Sequence, residues 1–222
     1  MKRIKNIFVM IAVLASIVAC DRDFDSDDIA VGVIRFPAIQ LQGDRVVIVP
    51  AGSTYTDAGA RALLGDEDIT STMETSNNIN LAVPGIYTVD YAVTTVNELG
   101  QESSVTDQRT VIVPPTSPNT TVDLSGTYTR TTAAGVAPVN WTKVAPGLYL
   151  NDNVGGVIPP SIAVLPVYVF HYANGTITIP AQPVPNGYTF NGANITLTPA
   201  GYNLVIPNTV GFGTGTRVLV KQ

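Results

Sequence analysis

Cysteine, histidine and tryptophan each occur only once in this chain, and few of its residues carry charge. A single cysteine excludes an internal disulfide bond. A single histidine, His171, leaves too few ligands for a zinc site, and no recognisable nucleophile motif lies beside it. We interpret His171 as a surface residue on a polar strand face. The sequence therefore predicts no metal, no cofactor and no catalytic activity.

Basic residues are also scarce, so nucleic acid is not an expected partner. The net charge is −5, and it becomes −8 (−5 minus 3) if Lys2, Arg3 and Lys5 are removed with a leader. Of the 17 acidic residues, 16 lie within residues 21–124, which predicts two domains with different surfaces. After residue 124 the only acid is Asp152, so this part of the chain does not supply the carboxylate pair that glycoside hydrolysis needs.

Long hydrophobic runs are missing except at the start of the chain, at residues 7–18. Three cations precede this run, and small residues with Cys20 follow it. The run is too short for a permanent membrane span, and a basic start is typical of an export signal. Residues 1–19 are therefore predicted to be a signal peptide. The alternatives for this stretch are an ordinary secretory signal with a chance cysteine and a core strand.

The sequence IVAC at residues 17–20 resembles the lipobox of bacterial lipoproteins. The resemblance implies cleavage before Cys20, a lipid on its sulfur, and attachment of the mature chain to a membrane. Residues 20–29 are strongly acidic, as a solvated flexible tether would be. They also resemble the signal that sends Bacteroidetes-type lipoproteins to the outer cell surface. We expect a lipid-anchored protein of the outer membrane that faces the cell exterior.

Nineteen glycines and 16 prolines, together with many threonines and valines, favour strands and turns over helices. Residues 86–93 alternate with period two, which predicts one core face and one outer face. The core face consists of Tyr87, Val89, Tyr91 and Val93, and the outer face of Ile86, Thr88, Asp90 and Ala92. Short strands at this spacing predict an all-β chain that begins with a two-sheet sandwich.

Four motifs in order resemble a bacterial immunoglobulin-like domain of the pesticidal crystal protein type. They are YTDAGA at residues 55–60, GDEDIT at 65–70, PGIYTVDY at 84–91 and RTVIV at 109–113. The resemblance covers residues 30–113 and implies an Ig-like β-sandwich used as a spacer or adhesion module. We interpret the acids Asp57, Asp66, Glu67 and Asp68 as turn residues, with a calcium site as the alternative.

Residues 114–122 contain three prolines and predict a stiff linker that holds the second domain away from the first. Residues 123–222 are predicted to form a second antiparallel β-sandwich or barrel-like domain. Asn174-Gly175 predicts a two-residue hairpin that puts Tyr168, Phe170, Tyr172, Ile177 and Ile179 in the core and His171 on the wetter face. A second predicted hairpin, at Asn191-Gly192, places Tyr188, Phe190, Ile195 and Leu197 on one face.

The turn at residues 144–148 decides where the only tryptophan points. If its loop has two or four residues, Trp141, Lys143 and Asp152 share a face. An exposed indole stacks on a pyranose ring while charged groups bond the sugar hydroxyls. These three residues are therefore the predicted glycan-binding site. A three-residue loop reverses the parity and sends Trp141 into the core, which is the alternative.

Four further motifs resemble the β domain that follows such Ig-like modules in Bacteroidetes-type surface lipoproteins. They are SGTYTR at residues 125–130, WTKVAPGLY at 141–149, DNVGG at 152–156 and GFGT at 211–214. The resemblance implies a non-catalytic accessory glycan-binding protein of a starch-utilisation-type uptake system. Its expected partners are a polysaccharide and an outer-membrane transporter complex. A structural, adhesion or transporter-docking lipoprotein is the alternative.

Overall fold

The computed structural model describes residues 35–97, 100–185, 187–207 and 215–222. The predicted signal peptide, Cys20, the acidic tether and the GFGT motif at residues 211–214 lie outside the described residues. Within the described ranges, no helix has the length and apolar character needed to cross a membrane. The described residues form strands almost throughout, with a 3₁₀ turn at Thr70–Thr72, so the predicted all-β class is confirmed.

The first unit is a sandwich of two sheets. Its strands are β1 (Pro37–Leu41), β2 (Val46–Ile48), β3 (Ala60–Leu64), β4 (Glu67–Asp68), β5 (Glu74–Asn77), β6 (Gly85–Val96) and β7 (Glu102–Val113). One sheet has the order β1-β3-β4 and the other β2-β7-β6-β5, with β2 and β7 parallel. Apolar side chains from both sheets meet between them and form the core of the sandwich.

The alternation predicted for residues 86–93 is present in β6. Val89, Tyr91 and Val93 are buried in the sandwich, and Tyr87 packs against the same core. The opposite face of β6 begins with buried Ile86 and continues into the polar residues Thr88 and Asp90. This outer face changes along its length from apolar to polar.

A buried arginine joins the two sides of the sandwich. The guanidinium of Arg109, on β7, is fully buried and pairs with the Asp57 carboxylate, which precedes β3. Tyr55 Oη donates to Asp57 over 2.7 Å, the Gly59 N–H donates over 2.7 Å, and Tyr91 Oη also donates to this carboxylate. Partial burial opposes ionisation of Asp57, but the hydrogen bonds from Tyr91, Tyr55 and Arg109 outweigh it and lower its pKa to about 2.

The second unit is a closed antiparallel barrel with a separate hairpin. Around the barrel the order is β10-β11-β12-β15-β16-β17-β8-β9, and β13 pairs only with β14. The strands are β8 (Gly126–Thr132), β9 (Gly135–Ala145), β10 (Leu148–Asn151), β11 (Val167–His171), β12 (Ile177–Thr178), β13 (Gln182–Val184), β14 (Tyr188–Phe190), β15 (Asn194–Thr198), β16 (Gly201–Val205) and β17 (Arg217–Lys221). Large side chains fill the interior, among them Tyr128, Trp141, Tyr149, Phe190 and Tyr202.

Both predicted Asn-Gly hairpins differ from the structure. His171 pairs with Ile177, so the turn around Asn174-Gly175 has one residue more than a two-residue hairpin. This single residue reverses the parity of β11: Val167 and Val169 point into the barrel, while Phe170 points out of it. At Asn191-Gly192 no hairpin forms, because β14 pairs with β13 and β15 pairs with β12 and β16.

The two units pack directly against each other. Ile86 and Ile112, neighbours on the outer face of the sandwich, contact Leu148 and Phe170 on the barrel wall. All four side chains are buried in this contact. The expectation that the second domain is held away from the first is therefore wrong. The sequence did not reveal the contact because Phe170 was assigned to the barrel core.

The proline-rich linker lies along the barrel. The Asn119 N–H donates to the His171 carbonyl over 2.9 Å, and the Ala173 N–H donates to the Ser117 carbonyl over 2.9 Å. Beneath it, Gly147 has a φ of 66°, and a Cβ at this position would lie 2.6 Å from Pro118 Cβ. The turn between β9 and β10 therefore needs glycine so that the linker can approach closely.

Replacing Asp57 with asparagine is expected to lower the free energy of unfolding by about 3 kcal/mol at pH 7, because the buried Arg109 charge loses its partner. In the native protein, the Asp57 carboxylate contributes stability above its ordinary pKa of 3.8, and this contribution disappears as the pH falls towards 2. The substitution should therefore also flatten the loss of stability between pH 4 and pH 2. Urea unfolding at several pH values measures both effects.

The matched control is Asp66→Asn, the same change at an exposed turn residue. It should leave the unfolding free energy within about 0.5 kcal/mol of the native value. Equal stabilities of the two variants at pH 7 would contradict the role given to Asp57.

Candidate functional site

The predicted platform of Trp141, Lys143 and Asp152 does not form. The turn between β9 and β10 has two residues, but a bulge at Val144 shifts the register so that Trp141 pairs with Asn151. Trp141 is only 3% exposed, whereas Lys143 and Asp152 are exposed. The prediction that Trp141 faces solvent is wrong, and the core alternative describes its position.

Trp141 is held in the barrel by polar and aromatic contacts. Its Nε1–H donates to Tyr202 Oη over 3.0 Å, and the two rings meet edge to face with centroids 5.2 Å apart. Burial chiefly raises the pKa of Tyr202, so its hydroxyl stays protonated and accepts this bond. The indole is thus a structural residue that has no face free for a sugar.

Asp152 is engaged on the outside of the barrel. Its carboxylate accepts hydrogen bonds from the Asn140 backbone N–H over 2.7 Å and from Asn140 Nδ2 over 2.8 Å. It fastens the end of β10 to β9, which is an ordinary role for an acid after a strand. Lys143 lies near the end of β9, and nothing in the described part of the chain brings it to Asp152.

His171 is also misplaced by the sequence-based prediction. Its side chain is 1% exposed, because the longer turn directs it inward with Val167 and Val169. Neither ring nitrogen has a hydrogen-bond partner among the described residues. Burial lowers the pKa of His171, so the ring is neutral at pH 7.

The acids considered for calcium have other partners. Asp57 pairs with Arg109, and Asp68 accepts from the Thr70 backbone N–H over 3.0 Å and from Arg61 Nε over 2.8 Å. Over the described ranges, no group of three or more His, Cys, Asp or Glu side chains is arranged to hold a metal ion. Asp68 ends β4, and its carboxylate holds the start of the 3₁₀ turn at Thr70.

A cleft of about 640 Å³ lies between the two units. One wall is the Ig sheet at β5, β6 and β7, beyond the apolar contact with the barrel. The other wall is the hairpin of β13 and β14. We call this space the inter-domain cleft. It follows from the packing of the units, so no single stretch of the sequence indicates it.

The Ig wall of the inter-domain cleft is polar and is ordered by strand register. Ser76, Asp90 and Gln108 form one row across the three strands, and Glu74, Ala92 and Thr106 form the next. Asp90 accepts from Gln108 Nε2 over 2.5 Å and from Thr88 Oγ1 over 3.1 Å. This wall presents carboxylate, amide and hydroxyl groups in fixed positions.

A second carboxylate on the Ig wall is already paired. Arg45 binds Asp107 through two nitrogens, one of them Nη2 at 3.0 Å from Oδ2. The hydrogen bond from Arg45 is the main cause that lowers the pKa of Asp107. Asp107 is therefore charged at neutral pH and is paired with the Arg45 guanidinium.

The opposite wall carries an exposed aromatic ring. Tyr188 on β14 is 71% exposed and lines the cleft beside Val184 and Thr189. The sequence-based prediction paired Tyr188 with Phe190, Ile195 and Leu197 on one face, whereas only Phe190 of this set is buried. The sequence signal available for this site was Tyr188 directly after Gly187 and two positions before Phe190.

Buried anchors hold the hairpin in place. Gln182 is 3% exposed; its Oε1 accepts from the Tyr168 N–H over 2.7 Å, and its Nε2 donates to the Tyr168 carbonyl over 3.0 Å. Val184 and Phe190 enter the barrel core. The hairpin is thereby fixed to the barrel, and Tyr188 is presented from a rigid base.

Comparison with known proteins identifies the first unit. Residues 39–113 match the family described as the Ig-like domain of bacterial surface proteins. The sequence-based prediction of an Ig-like domain is confirmed by this match. No curated protein matches the chain significantly.

Two solved structures resemble the chain weakly. A crystal structure of a lipoprotein from Bacteroides thetaiotaomicron is 22% identical, covers 84% of this chain and 100% of its own, and has a TM-score of 0.40. The M60 catalytic domain of Clostridium perfringens ZmpB with two CBM51 domains is 14% identical, covers 84% of this chain and 21% of its own, and has a TM-score of 0.29. Both TM-scores lie below 0.5, and neither structure transfers a function to this chain.

Replacing Trp141 with alanine is expected to lower the unfolding free energy by about 3–5 kcal/mol, because it opens a cavity in the barrel core. Trp141→Phe keeps most of the packing and loses the bond to Tyr202, so we expect a smaller loss of about 1–2 kcal/mol. Urea unfolding followed by circular dichroism measures both changes. The control is Thr142→Ala, at the exposed residue next to Trp141 on β9. If both Trp141 variants lowered the unfolding free energy as little as Thr142→Ala, the core assignment of Trp141 would be contradicted.

Proposed function

From the match of residues 39–113 to the Ig-like domain of bacterial surface proteins, we propose that this chain is a non-catalytic, lipid-anchored protein of the cell surface that binds a glycan. The glycan site is the inter-domain cleft. Its role is that of an accessory binding protein in a polysaccharide uptake system.

The lipid anchor rests on the N-terminal sequence. A basic start, a short apolar run and IVAC at residues 17–20 together have the form of a lipoprotein signal. The sulfur of Cys20 would carry the lipid, and the acidic residues 21–28 would keep the folded units away from the outer membrane. The use of this cysteine as an anchor also explains why the chain has only one.

The composition of the inter-domain cleft is the observation that carries the glycan proposal. Carboxylates on the Ig wall can accept hydrogen bonds from sugar hydroxyls, and amides can both accept and donate them. Tyr188 offers an aromatic face for the apolar side of a pyranose. A cleft of about 640 Å³ accommodates a short oligosaccharide segment. Both folded units contribute, so the site depends on their packing.

The non-catalytic part of the proposal rests on how the candidate groups are engaged. His171 is buried away from the cleft, and Asp107 is paired with Arg45. Asp90 is hydrogen-bonded to Gln108 and Thr88. These contacts favour a role in orienting a ligand over a role in transferring protons.

A docking lipoprotein is the second candidate. Three valines on the outside of the barrel are exposed: Val136 by 57%, Val218 by 58% and Val220 by 42%. Exposed valines on β9 and β17 favour contact with another protein, such as an adhesion partner or an outer-membrane transporter. This candidate does not need the inter-domain cleft.

The native protein is expected to be retained on at least one polysaccharide of an immobilised panel. Tyr188→Ala should weaken that retention about tenfold, since stacking on an aromatic ring contributes roughly 1–1.5 kcal/mol. The control is Phe36→Ala, which removes an aromatic ring that is 69% exposed and lies outside the cleft. Failure of the native protein to bind any glycan would refute the proposal, and new reducing ends in the eluted glycan would refute its non-catalytic part.

Replacing Cys20 with serine is expected to move the protein from the membrane fraction to the soluble fraction of cells, because the lipid supplies the membrane affinity. Mass spectrometry of the N-terminal peptide should show an acylated Cys20 in the native protein. The control is Ser26→Ala in the acidic tether. Membrane recovery of Cys20→Ser equal to that of the native protein would contradict the lipid anchor.

A further inference from the structure

We infer that the inter-domain cleft selects uncharged glycans and repels acidic ones, and that Glu74 is a specificity-determining residue. This inference rests on the proposed glycan-binding function. It concerns the chemical class of the ligand and depends on the signs of the charges that surround the cleft.

The charges on the lining of the inter-domain cleft have one sign. Among the described residues of this lining, the charged ones are Glu74, Asp90 and Asp107, and none is a lysine or arginine. A recognition site for uronate or sulfate groups normally supplies arginine or lysine. Among the lining residues, the groups that can donate to a ligand are hydroxyls, amides and backbone N–H groups.

Arg45 does not line the cleft, and it does not change this balance. Arg45 binds Asp107 through two nitrogens, so its charge is offset within the pair. Asp90 is held by two neutral donors, Gln108 and Thr88, which leave its negative charge uncompensated. A carboxylate on a bound sugar would therefore meet repulsion at this wall.

Among the acids of the cleft, we expect the charge of Glu74 to have the largest effect on the choice between neutral and acidic glycans. It is exposed on β5, next to the Asp90 row, and it has no salt bridge among the described residues. Like charges a few ångströms apart at a protein surface repel each other, so Glu74 would weaken binding of a nearby sugar carboxylate. Because Glu74 packs into no core, its charge can be changed without disturbing the fold.

The experiment uses the full chain and a matched pair of ligands. One ligand is the neutral polysaccharide that retains the native protein best; the other is the same polysaccharide after oxidation of its C6 hydroxymethyl groups to carboxylates. We expect the oxidised form to bind about tenfold more weakly at low salt, and the difference to shrink at high salt.

Substitution of Glu74 tests the assignment through a gain of binding. Glu74→Lys should raise the ratio of binding of the oxidised polysaccharide to binding of the neutral form about tenfold. Glu102→Lys makes the same charge change at an exposed position of β7 outside the cleft lining, and it should alter neither ligand by more than twofold.

The outcomes separate this inference from the glycan proposal. Equal or tighter binding of the oxidised form by the native protein would overturn the charge selection and leave glycan binding standing. Equal effects of Glu74→Lys and Glu102→Lys would overturn the assignment of Glu74. If the native protein is retained on neither form of any polysaccharide, the proposed function is wrong and this inference fails with it.

Discussion

The contact of Ile86 and Ile112 with Leu148 and Phe170 is the interaction on which the rest of the architecture depends. It joins the outer face of the Ig sheet to the wall of the barrel. β6 continues beyond this contact, and Asp90 lies about 13 Å along the strand from Ile86. The same face that is apolar at one end therefore becomes a polar wall at the other. The inter-domain cleft exists because this wall stands opposite the β13–β14 hairpin.

The hairpin carries both buried anchoring side chains and an exposed aromatic ring. Val184 and Phe190 close the barrel core, and buried Gln182 fastens the hairpin to the backbone of β11. Tyr188 takes no part in these anchoring contacts and remains exposed. The residues that anchor the hairpin and the exposed ring of Tyr188 are thus different side chains of one short element. A ligand in the cleft would contact both units without needing either core to rearrange.

The two main errors of sequence interpretation have the same physical origin. At Val144 a bulge moves Trp141 from Asp152 to Asn151, and at the Asn174-Gly175 turn one added residue sends His171 inward. In each case a shift of one position transferred a whole strand to the other face. The sequence carries little information about such shifts, because the closure of the barrel and the packing of the Ig unit decide which face is buried.

By itself, the sequence determined the all-β class, the Ig-like identity of residues 39–113 and the core face of β6, because period-two alternation and local turn motifs act over a few residues. Only the tertiary structure decided that Trp141 is a core residue and that Glu74, Asp90 and Tyr188 line one cleft. These residues come from strands far apart in the chain. Their proximity depends on register and on packing between units, which no local pattern encodes.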